Sequence, residues 1–143
     1  MNILVIHGPN LNRLQHRDPK HYGNLSLESI YQHLTNTYND AQFTFYQSNH
    51  EGDLIDVILA TLDEPYDAIL INPGAYTHTS IALRDALEMV QCIKVEVHLS
   101  DINQREAFRK IDYIKDVCHA QFMGRQLESY VDAMTYIVSN NKK

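Results

Sequence analysis

The chain has 143 residues and a mass of 16.5 kDa, the size of one globular domain, and its apolar share of 44% and charged share of 21% are ordinary for a globular protein. Eighteen acidic against twelve basic residues give a formal charge of -6, which opposes binding to a phosphate backbone, so we expect no nucleic-acid partner. Two cysteines are too few for a disulfide framework and fit a reducing cytoplasm.

Short apolar runs predict the strands of a sheet. The first run, residues 2–7, has only four consecutive apolar residues before a histidine and no basic segment ahead of it, so we expect a strand there and neither a signal peptide nor a membrane span. Further strands are predicted at residues 43–47, 67–72 and 93–99, and a weaker fifth strand at 119–124.

Helical patterns separate these strands. Helices are predicted after Ser26, after Asp53, after Thr79 or Ser80, over residues 105–115 and over residues 127–138. In the second of them we expect an inward face made of Leu54, Ile55, Ile58, Leu59 and Leu62. Strands that alternate with helices predict an α/β fold, a flavodoxin-like three-layer sandwich with a five-stranded parallel sheet, in one catalytic domain over residues 1–143.

Polar residues follow the predicted strands at their carboxyl ends, the edge at which open parallel sheets bind ligands. Each is an ordinary turn or surface residue when taken alone, but four successive strands that end this way predict a site. The histidines, with Glu51 or Glu96, also leave a metal site open, although neither HxH nor HExxH spacing occurs. The group comprises His7, Asn10, Asn12, Asn49, His50, Asn72, His78 and His98.

The fourth strand carries charge where a buried parallel strand is normally apolar. A period of two places Lys94, Glu96 and His98 on one face. A carboxylate beside an imidazole orients the ring and favours its protonated form, which can donate a proton to a leaving group. The alternative is an exposed edge strand or a subunit interface with an incidental ion pair.

The longest predicted loop, residues 8–24, follows the first strand, and we call it the lid loop. A loop of this length in a compact domain is usually functional or disordered. Its closure over the sheet edge would bring Arg17 and Tyr22 into the site. Tyrosine is a poor base at its ordinary pKa of about 10, and a cation in a dry pocket would favour the phenolate. The alternative is that Tyr22 packs on the core while Arg17 is solvated.

Signatures of other enzyme classes are missing. The chain has neither GxGxxG nor GxxxxGK[ST], so we expect no nucleotide cofactor. It has no GxSxG motif, and neither cysteine lies at a strand end near a histidine.

Five ordered blocks resemble the type II 3-dehydroquinate dehydratases, also called type II dehydroquinases, over nearly the whole chain. The blocks are "ILVIHGPNLN", "RDPKHYG", "QSNHEGDLID", "INPGAYTHTSIALRDAL" and "VEVHLSDINQREAFR". The resemblance implies dehydration of 3-dehydroquinate to 3-dehydroshikimate in the shikimate pathway, through an enolate and without metal, cofactor or Schiff-base lysine.

The resemblance also implies the catalytic roles. Tyr22 is the base that removes a proton from the carbon next to the ketone, and Arg17 is the cation of the lid loop that assists it. Asn10 acts through an ordered water on the developing oxyanion. His98, oriented by Glu96, is the acid that protonates the departing hydroxyl.

Substrate binding is implied in the same way. The substrate carboxylate is expected on Asn72, Ser100 and the backbone amides around Ile102, and the ring hydroxyls on His78 and Arg109. Members of this family assemble as trimers stacked into dodecamers, which implies a homo-oligomer.

Asp85 is expected to reach into the site of a neighbouring subunit. The chain departs from the family at Gln15, where a glycine is usual, and at Gln126 and Ser129, which occupy glycine places of the family's GxGxxGY pattern. Two alternatives stay open: a catalytically inactive small-molecule binding protein of the same fold and a metal-dependent hydrolase.

Overall fold

The computed structural model describes residues 1–142 and contains a five-stranded, all-parallel sheet. The strands are β1 (Asn2–His7), β2 (Gln42–Gln47), β3 (Ala68–Asn72), β4 (Ile93–His98) and β5 (Ala120–Met123). Their order in the sheet is β2-β1-β3-β4-β5, the flavodoxin-like order. The prediction of an α/β fold with five parallel strands is confirmed.

Helices cover both faces of the sheet because alternate side chains of each central strand enter opposite cores. In β1, Ile3 and Val5 enter one core and Leu4 and Ile6 the other. Helices α2 and α5 pack into the first core and α3 and α4 into the second. The bounds are α1 (Pro19–Tyr22), α2 (Leu27–Thr37), α3 (Glu51–Ala60), α4 (Ile81–Met89) and α5 (Leu127–Asn140).

Serine side chains cap two of the predicted helices. The Ser26 hydroxyl accepts a hydrogen bond from the Ser29 amide at the start of α2, as predicted. At the start of α4 the cap is Ser80 rather than Thr79, since the Ser80 hydroxyl accepts from the Leu83 amide.

The predicted inward face of α3 is wrong at its end. Leu54 and Ile58 are buried and Leu62 is 52% exposed. The helix stops at Ala60, and the Thr61 hydroxyl turns back to donate to the Ile58 carbonyl oxygen, so the helical period does not extend to residue 62. Helix α3 also begins at Glu51, before the predicted start after Asp53.

The fourth predicted helix, residues 105–115, is wrong. The segment instead forms short 3₁₀ turns at Ile102–Gln104, Ala107–Lys110 and Lys115–Val117. Backbone groups that a helix would need are bound elsewhere: the carbonyl oxygen of Ile111 by the His78 ring, and that of Tyr113 by the Arg84 guanidinium. Tertiary hydrogen bonds therefore override the local helical pattern.

The strand carboxyl ends and the connections after them form one edge of the molecule, and the functional residues predicted above lie mainly on these connections. Between residues 1 and 142, none of the helices combines the length and the apolar character that a membrane span requires.

Candidate active site

A pocket of about 330 Å³, a volume that includes the open space at its mouth, lies at the carboxyl ends of β3 and β4, beneath the lid loop. It has the position expected for the ligand site of an open α/β sheet. Most of the predicted site residues line it, together with Arg105, which the sequence analysis did not single out. The predicted residues in the lining are Arg17, Tyr22, Asn72, His78, His98, Ser100, Ile102 and Arg109.

Strand β4 carries a buried carboxylate–imidazole pair, Glu96 and His98, of which His98 lines the pocket. Lys94, Glu96 and His98 are all buried on the face of β4 opposite Val95 and Val97, as the period of two predicts. His98 Nε2 lies 2.5 Å from Glu96 Oε2, and the Thr77 hydroxyl donates to the same oxygen at 2.9 Å. Since Nε2 is held by the carboxylate, Nδ1 is the ring nitrogen left for the ligand side.

The alternative of an exposed edge strand is wrong. β4 pairs with β3 on one side and β5 on the other, and Glu96 is 0% exposed. Lys94 does not neutralise this carboxylate, because its ammonium group donates to the carbonyl oxygens of Leu87 and Val90 at 2.7 and 2.5 Å, where α4 ends. The ionic partner of Glu96 is therefore the imidazole.

Two guanidinium groups flank Tyr22. The Arg17 carbon Cζ lies 4.1 Å from the centre of the Tyr22 ring. Arg105 Nη1 donates to the Tyr22 hydroxyl at 2.6 Å and also to the Ser100 hydroxyl at 3.3 Å. Both cations would stabilise a phenolate oxygen. The alternative in which Arg17 is solvated away from Tyr22 is not what the structure has.

The lid loop forms two short helical turns instead of an irregular chain. Leu11 and Leu14 of its 3₁₀ turn, Leu11–His16, are buried in the same core as Tyr22. The Asp18 carboxylate caps α1 by accepting from the Lys20 amide, and Gly23, at a φ of 65°, ends it. This short helix fixes the position of Tyr22 on the pocket wall.

The pocket is strongly cationic on the side of the lid loop. Burial lowers the pKa of Arg17, and the charges of Arg105 and Arg109 act in the same direction, while Tyr22 opposes them. Arg109 is held by Glu106, whose two carboxylate oxygens accept from its Nε at 3.3 and 3.1 Å. A site with three arginines and one such carboxylate favours an anionic ligand.

Polar groups from β3 and the connection after β4 lie deeper in the pocket. Asn72 donates from Nδ2 to the Tyr130 hydroxyl at 3.2 Å, and its Oδ1 accepts from the Gly74 amide at 3.1 Å, so the direction of this side-chain amide is fixed. Ser100 and Ile102 follow β4 directly and are both buried. These residues provide hydroxyl and amide donors suited to a carboxylate.

His78 has a defined tautomer. Its Nδ1 donates to the Ile111 carbonyl oxygen at 2.7 Å, so Nε2 is the acceptor of the neutral ring. Burial lowers the pKa of His78, a shift that the hydrogen bond to Ile111 partly opposes. A neutral imidazole can accept a hydrogen bond from a ligand hydroxyl.

Three predicted residues lie outside the pocket lining: Glu96, which is buried against His98, and the two exposed residues Asn10 and Asp85. Asn10 is exposed at the start of the lid loop with a left-handed φ of 70°, and its amide donates to the Asn49 side chain. Asp85 is exposed on α4. Neither position brings the side chain to Tyr22 or His98 within one protomer.

The predicted histidine-based metal set is not brought together. His7 is buried against Tyr130, and His50 is exposed before α3. Within the part of the chain that the structure describes, one group of three could hold a metal by its geometry: Glu96, His98 and Asp112, whose ligand atoms lie within 4.8 Å of one another. Asp112 and Arg105 are the functional candidates that sequence reasoning missed.

Comparisons with known proteins identify the family of the chain. Residues 1–138 match the family model described as "Dehydroquinase class II". A 3-dehydroquinate dehydratase from Bacillus pumilus (strain SAFR-032) is 46% identical over 140 residues, covering 96% of this chain and 95% of that protein. One from Thermotoga petrophila is 45% identical over 139 residues, covering 96% and 94%. The crystal structure of type II dehydroquinase from Butyrivibrio crossotus DSM 2876 has a TM-score of 0.93 at 43% identity, covering 96% of this chain and 97% of that one.

Proposed function

The chain belongs to the class II dehydroquinases, and from this premise we propose that it is a cytoplasmic hydro-lyase that converts 3-dehydroquinate to 3-dehydroshikimate in the shikimate pathway of aromatic amino acid biosynthesis. One observation carries the proposal: a phenol held by two guanidinium groups and an imidazole held by a buried carboxylate line the same pocket. An elimination of water needs one base and one acid that reach the same bound substrate.

In the first step, the Tyr22 phenolate removes a proton from the carbon next to the ketone, and the electron pair moves to the carbonyl oxygen as an enolate. Arg105 donates to the phenol oxygen and Arg17 lies over the ring, so both support the anionic base before the transfer. Asn10 supports the enolate oxygen through a water molecule.

In the second step, the enolate re-forms the ketone as the carbon–oxygen bond to the β-hydroxyl breaks. His98 supplies the proton that turns this hydroxyl into water, leaving a neutral imidazole. Glu96 and Thr77 hold the ring in place: the Glu96 carboxylate accepts from Nε2, and the Thr77 hydroxyl donates to the same carboxylate oxygen. After the two steps Tyr22 carries one more proton and His98 one fewer. Proton exchange with solvent then returns Tyr22 to the phenolate and His98 to the imidazolium.

The substrate is held by its carboxylate and its ring hydroxyls. Asn72, Ser100 and the amides around Ile102 bind the carboxylate, and His78 and Arg109 bind the hydroxyls. The fixed amide of Asn72 and the fixed tautomer of His78 support these assignments, because both side chains are oriented before substrate arrives.

We also propose that the chain forms trimers that stack into a dodecamer and that Asp85 completes the site of a neighbouring subunit. Asp85 lies between Ile81 and Met89 at intervals of four residues, and these two apolar side chains are 56% and 52% exposed on the same stripe of α4. Burial of such a stripe against a second copy would bring Asp85 across the interface. Light scattering after size exclusion tests the mass, and Asp85→Ala is expected to raise KM without dissociating the assembly.

The direct test of the activity is near-ultraviolet absorbance after chelator-treated protein is added to 3-dehydroquinate, since the conjugated product absorbs there. We expect a rising signal from the wild type and from Tyr38→Phe, whose tyrosine lies at the far end of α2. Tyr22→Phe removes the base and is expected to abolish the signal. Near-normal turnover of Tyr22→Phe would refute the role of Tyr22.

A histidine pair tests the acid and separates the alternatives. His98→Ala is expected to reduce kcat far more than it weakens binding, while His50→Ala, at an exposed residue, retains activity. Inhibition by chelator, or loss of activity in His50→Ala, would favour a metal-dependent hydrolase. Ligand binding with no turnover by the wild type would favour an inactive binding protein.

A further inference from the structure

A second acidic residue, Asp112, lies beside the Glu96–His98 pair, and the mechanism above gives it no role. It follows the 3₁₀ turn Ala107–Lys110, and its carboxylate lies close enough to Glu96 and His98 for ligand atoms of all three to fall within 4.8 Å. The carboxylate of Glu96 is fully buried, and its Oε1 has no hydrogen-bond partner among residues 1–142. Such an oxygen requires a donor.

Asp112 is held firmly in this position. Its Oδ1 accepts from the amides of Ile114 and Lys115 at 2.9 and 3.0 Å, and Gln121 of β5 donates to its Oδ2. Ile114 is fully buried in the core between α3 and α4, so this turn cannot swing away without exposing it. The two carboxyl groups are therefore kept together by the fold.

Among residues 1–142, no lysine or arginine side chain lies between the two carboxyl groups. Lys94 points to the end of α4, and Arg109 pairs with Glu106. Beyond Glu96 itself, the titratable and charged groups that act on this cluster are Lys94 and His98 on β4, His78, Arg109 and the thiol of Cys118.

Two buried carboxylates in contact, with no lysine or arginine between them, cannot both be ionised at modest cost, and a shared proton removes the repulsion. Burial raises the pKa of Asp112 and the negative charge of Glu96 raises it further, and the hydrogen bonds from the Ile114 and Lys115 amides oppose this shift only in part. The other oxygen of Glu96 already accepts hydrogen bonds from Thr77 and His98, so Oε1 is the oxygen of Glu96 that is left to accept a further one. The proton is therefore better placed on Asp112.

We propose that Asp112 is a neutral carboxylic acid that donates a hydrogen bond to Glu96 Oε1, and that it thereby acts as a positioning residue for the Glu96–His98 pair. The donor satisfies the orphan oxygen, fixes the plane of the Glu96 carboxylate, and keeps a single negative charge behind the imidazole. The protonation state does not depend on the proposed function, whereas its effect on turnover rests on it.

Infrared spectroscopy tests the protonation state without any activity. In the wild type at neutral pH we expect a carbonyl band of a protonated carboxylic acid that shifts when aspartate is labelled with ¹³C and is lost in Asp112→Asn. A band that shifts with ¹³C-glutamate instead would place the proton on Glu96 and overturn the proposal. Absence of any such band that Asp112→Asn removes would also overturn it.

Kinetics test the positioning role. Asp112→Asn keeps an oxygen for the Ile114 and Lys115 amides and offers an N–H to Glu96. Gln121, which donates to the replaced oxygen, can turn its side-chain amide so that its own oxygen accepts from the new NH2 group. We therefore expect kcat within about twofold of the wild type and an unchanged pH profile. Asp112→Ala leaves Glu96 Oε1 without a donor, and we expect kcat to fall at least about tenfold with little change in KM, a part of the roughly 100-fold or greater contribution of a general acid. Asp116→Asn, on the same segment and exposed, is the matched control and should behave as wild type.

The outcomes separate this inference from the proposed function. If Asp112 were ionised, Asp112→Asn would remove a second negative charge near His98, and the alkaline limb of its pH profile would move to lower pH; that result would overturn the proposal. Wild-type kcat in Asp112→Ala would overturn the positioning role. If Asp112→Ala fails to fold, the Asn variant and the infrared band still decide, and if the wild type does not turn over 3-dehydroquinate, the band alone decides the protonation state.

Discussion

The burial of His7 leads us to expect that the free energy of unfolding falls in acid. The residue ends β1, is 0% exposed, and has its Nε2 2.7 Å from the hydroxyl of Tyr130 on α5. On its other side, the hydroxyl of Tyr31 lies 3.5 Å from Nδ1. Burial lowers the pKa of His7 from 6.5 to about 3, so the folded protein keeps this ring neutral over most of the acidic range.

The direction of this pH effect on stability follows from proton linkage. Between pH 6.5 and about 3 the unfolded chain binds a proton at His7 that the folded chain does not, so stability falls as the pH falls through this window. The slope is about 1.4 kcal/mol per pH unit, which gives about 2 kcal/mol at pH 5 and approaches roughly 5 kcal/mol near pH 3. A loss of about 2 kcal/mol is a sizeable part of the stability of a typical domain.

Urea unfolding of the wild type, His7→Gln and His50→Gln at pH 7 and pH 5 isolates this effect. Protein concentration is kept constant, because assembly contributes to stability. We expect the free energy of unfolding to fall about 2 kcal/mol more in the wild type and in His50→Gln than in His7→Gln, which has no imidazole at residue 7. The same fall in wild type and His7→Gln would refute the conclusion that His7 is neutral in the fold because of its burial.

Three further predictions concern single side chains. Arg105→Gln removes the charged donor to the Tyr22 hydroxyl and should lower kcat about 100-fold in steady-state assays with less effect on KM; unchanged kcat would contradict the contact. Gly8→Ala would place a Cβ 2.2 Å from a main-chain oxygen and should cost about 2 kcal/mol or more in urea unfolding, whereas Gly52→Ala, with nothing within 4 Å of its Cβ, should stay within about 1 kcal/mol of wild type. Gln126 has a φ of 51° and a ψ of -126°, so Gln126→Gly should raise stability by about 1 kcal/mol, and a lower melting temperature would argue against strain at this residue.

The fold could be predicted from the sequence because its strands are buried on both faces. The five residues from Ala68 to Asn72 are all buried, and such short apolar runs between helical patterns are typical of parallel sheets. The segment 105–115 could not be predicted by the same means. Its backbone is bound by His78 and Arg84, residues about 30 positions away, and no local pattern records such partners.

The part of the site that lies on a strand could be predicted from the sequence. Glu96 and His98 lie on a strand, where a period of two fixes which side chains are neighbours. Arg105 and Asp112 lie on turns without a period, so the sequence shows that an arginine and an aspartate are present but not that one contacts Tyr22 and the other Glu96. Only the tertiary path of the connection after β4 brings them to the pocket.

The lid loop holds Tyr22 through side chains that face the core. Gln15, at a place where the family usually has glycine, is exposed, whereas its neighbours Leu11 and Leu14 are 2% and 1% exposed and pack into the core with Tyr22. Full burial of a leucine contributes about 1.5–3 kcal/mol, so this packing alone favours the closed loop. The side chain at residue 15 faces away from the core, so the position of Tyr22 is set by Leu11 and Leu14 rather than by residue 15. Tyr22, the proposed base, is thus held by one core, whereas His98, the proposed acid, lies on the face of β4 that points away from that core. The sheet therefore sets the relative position of the two side chains.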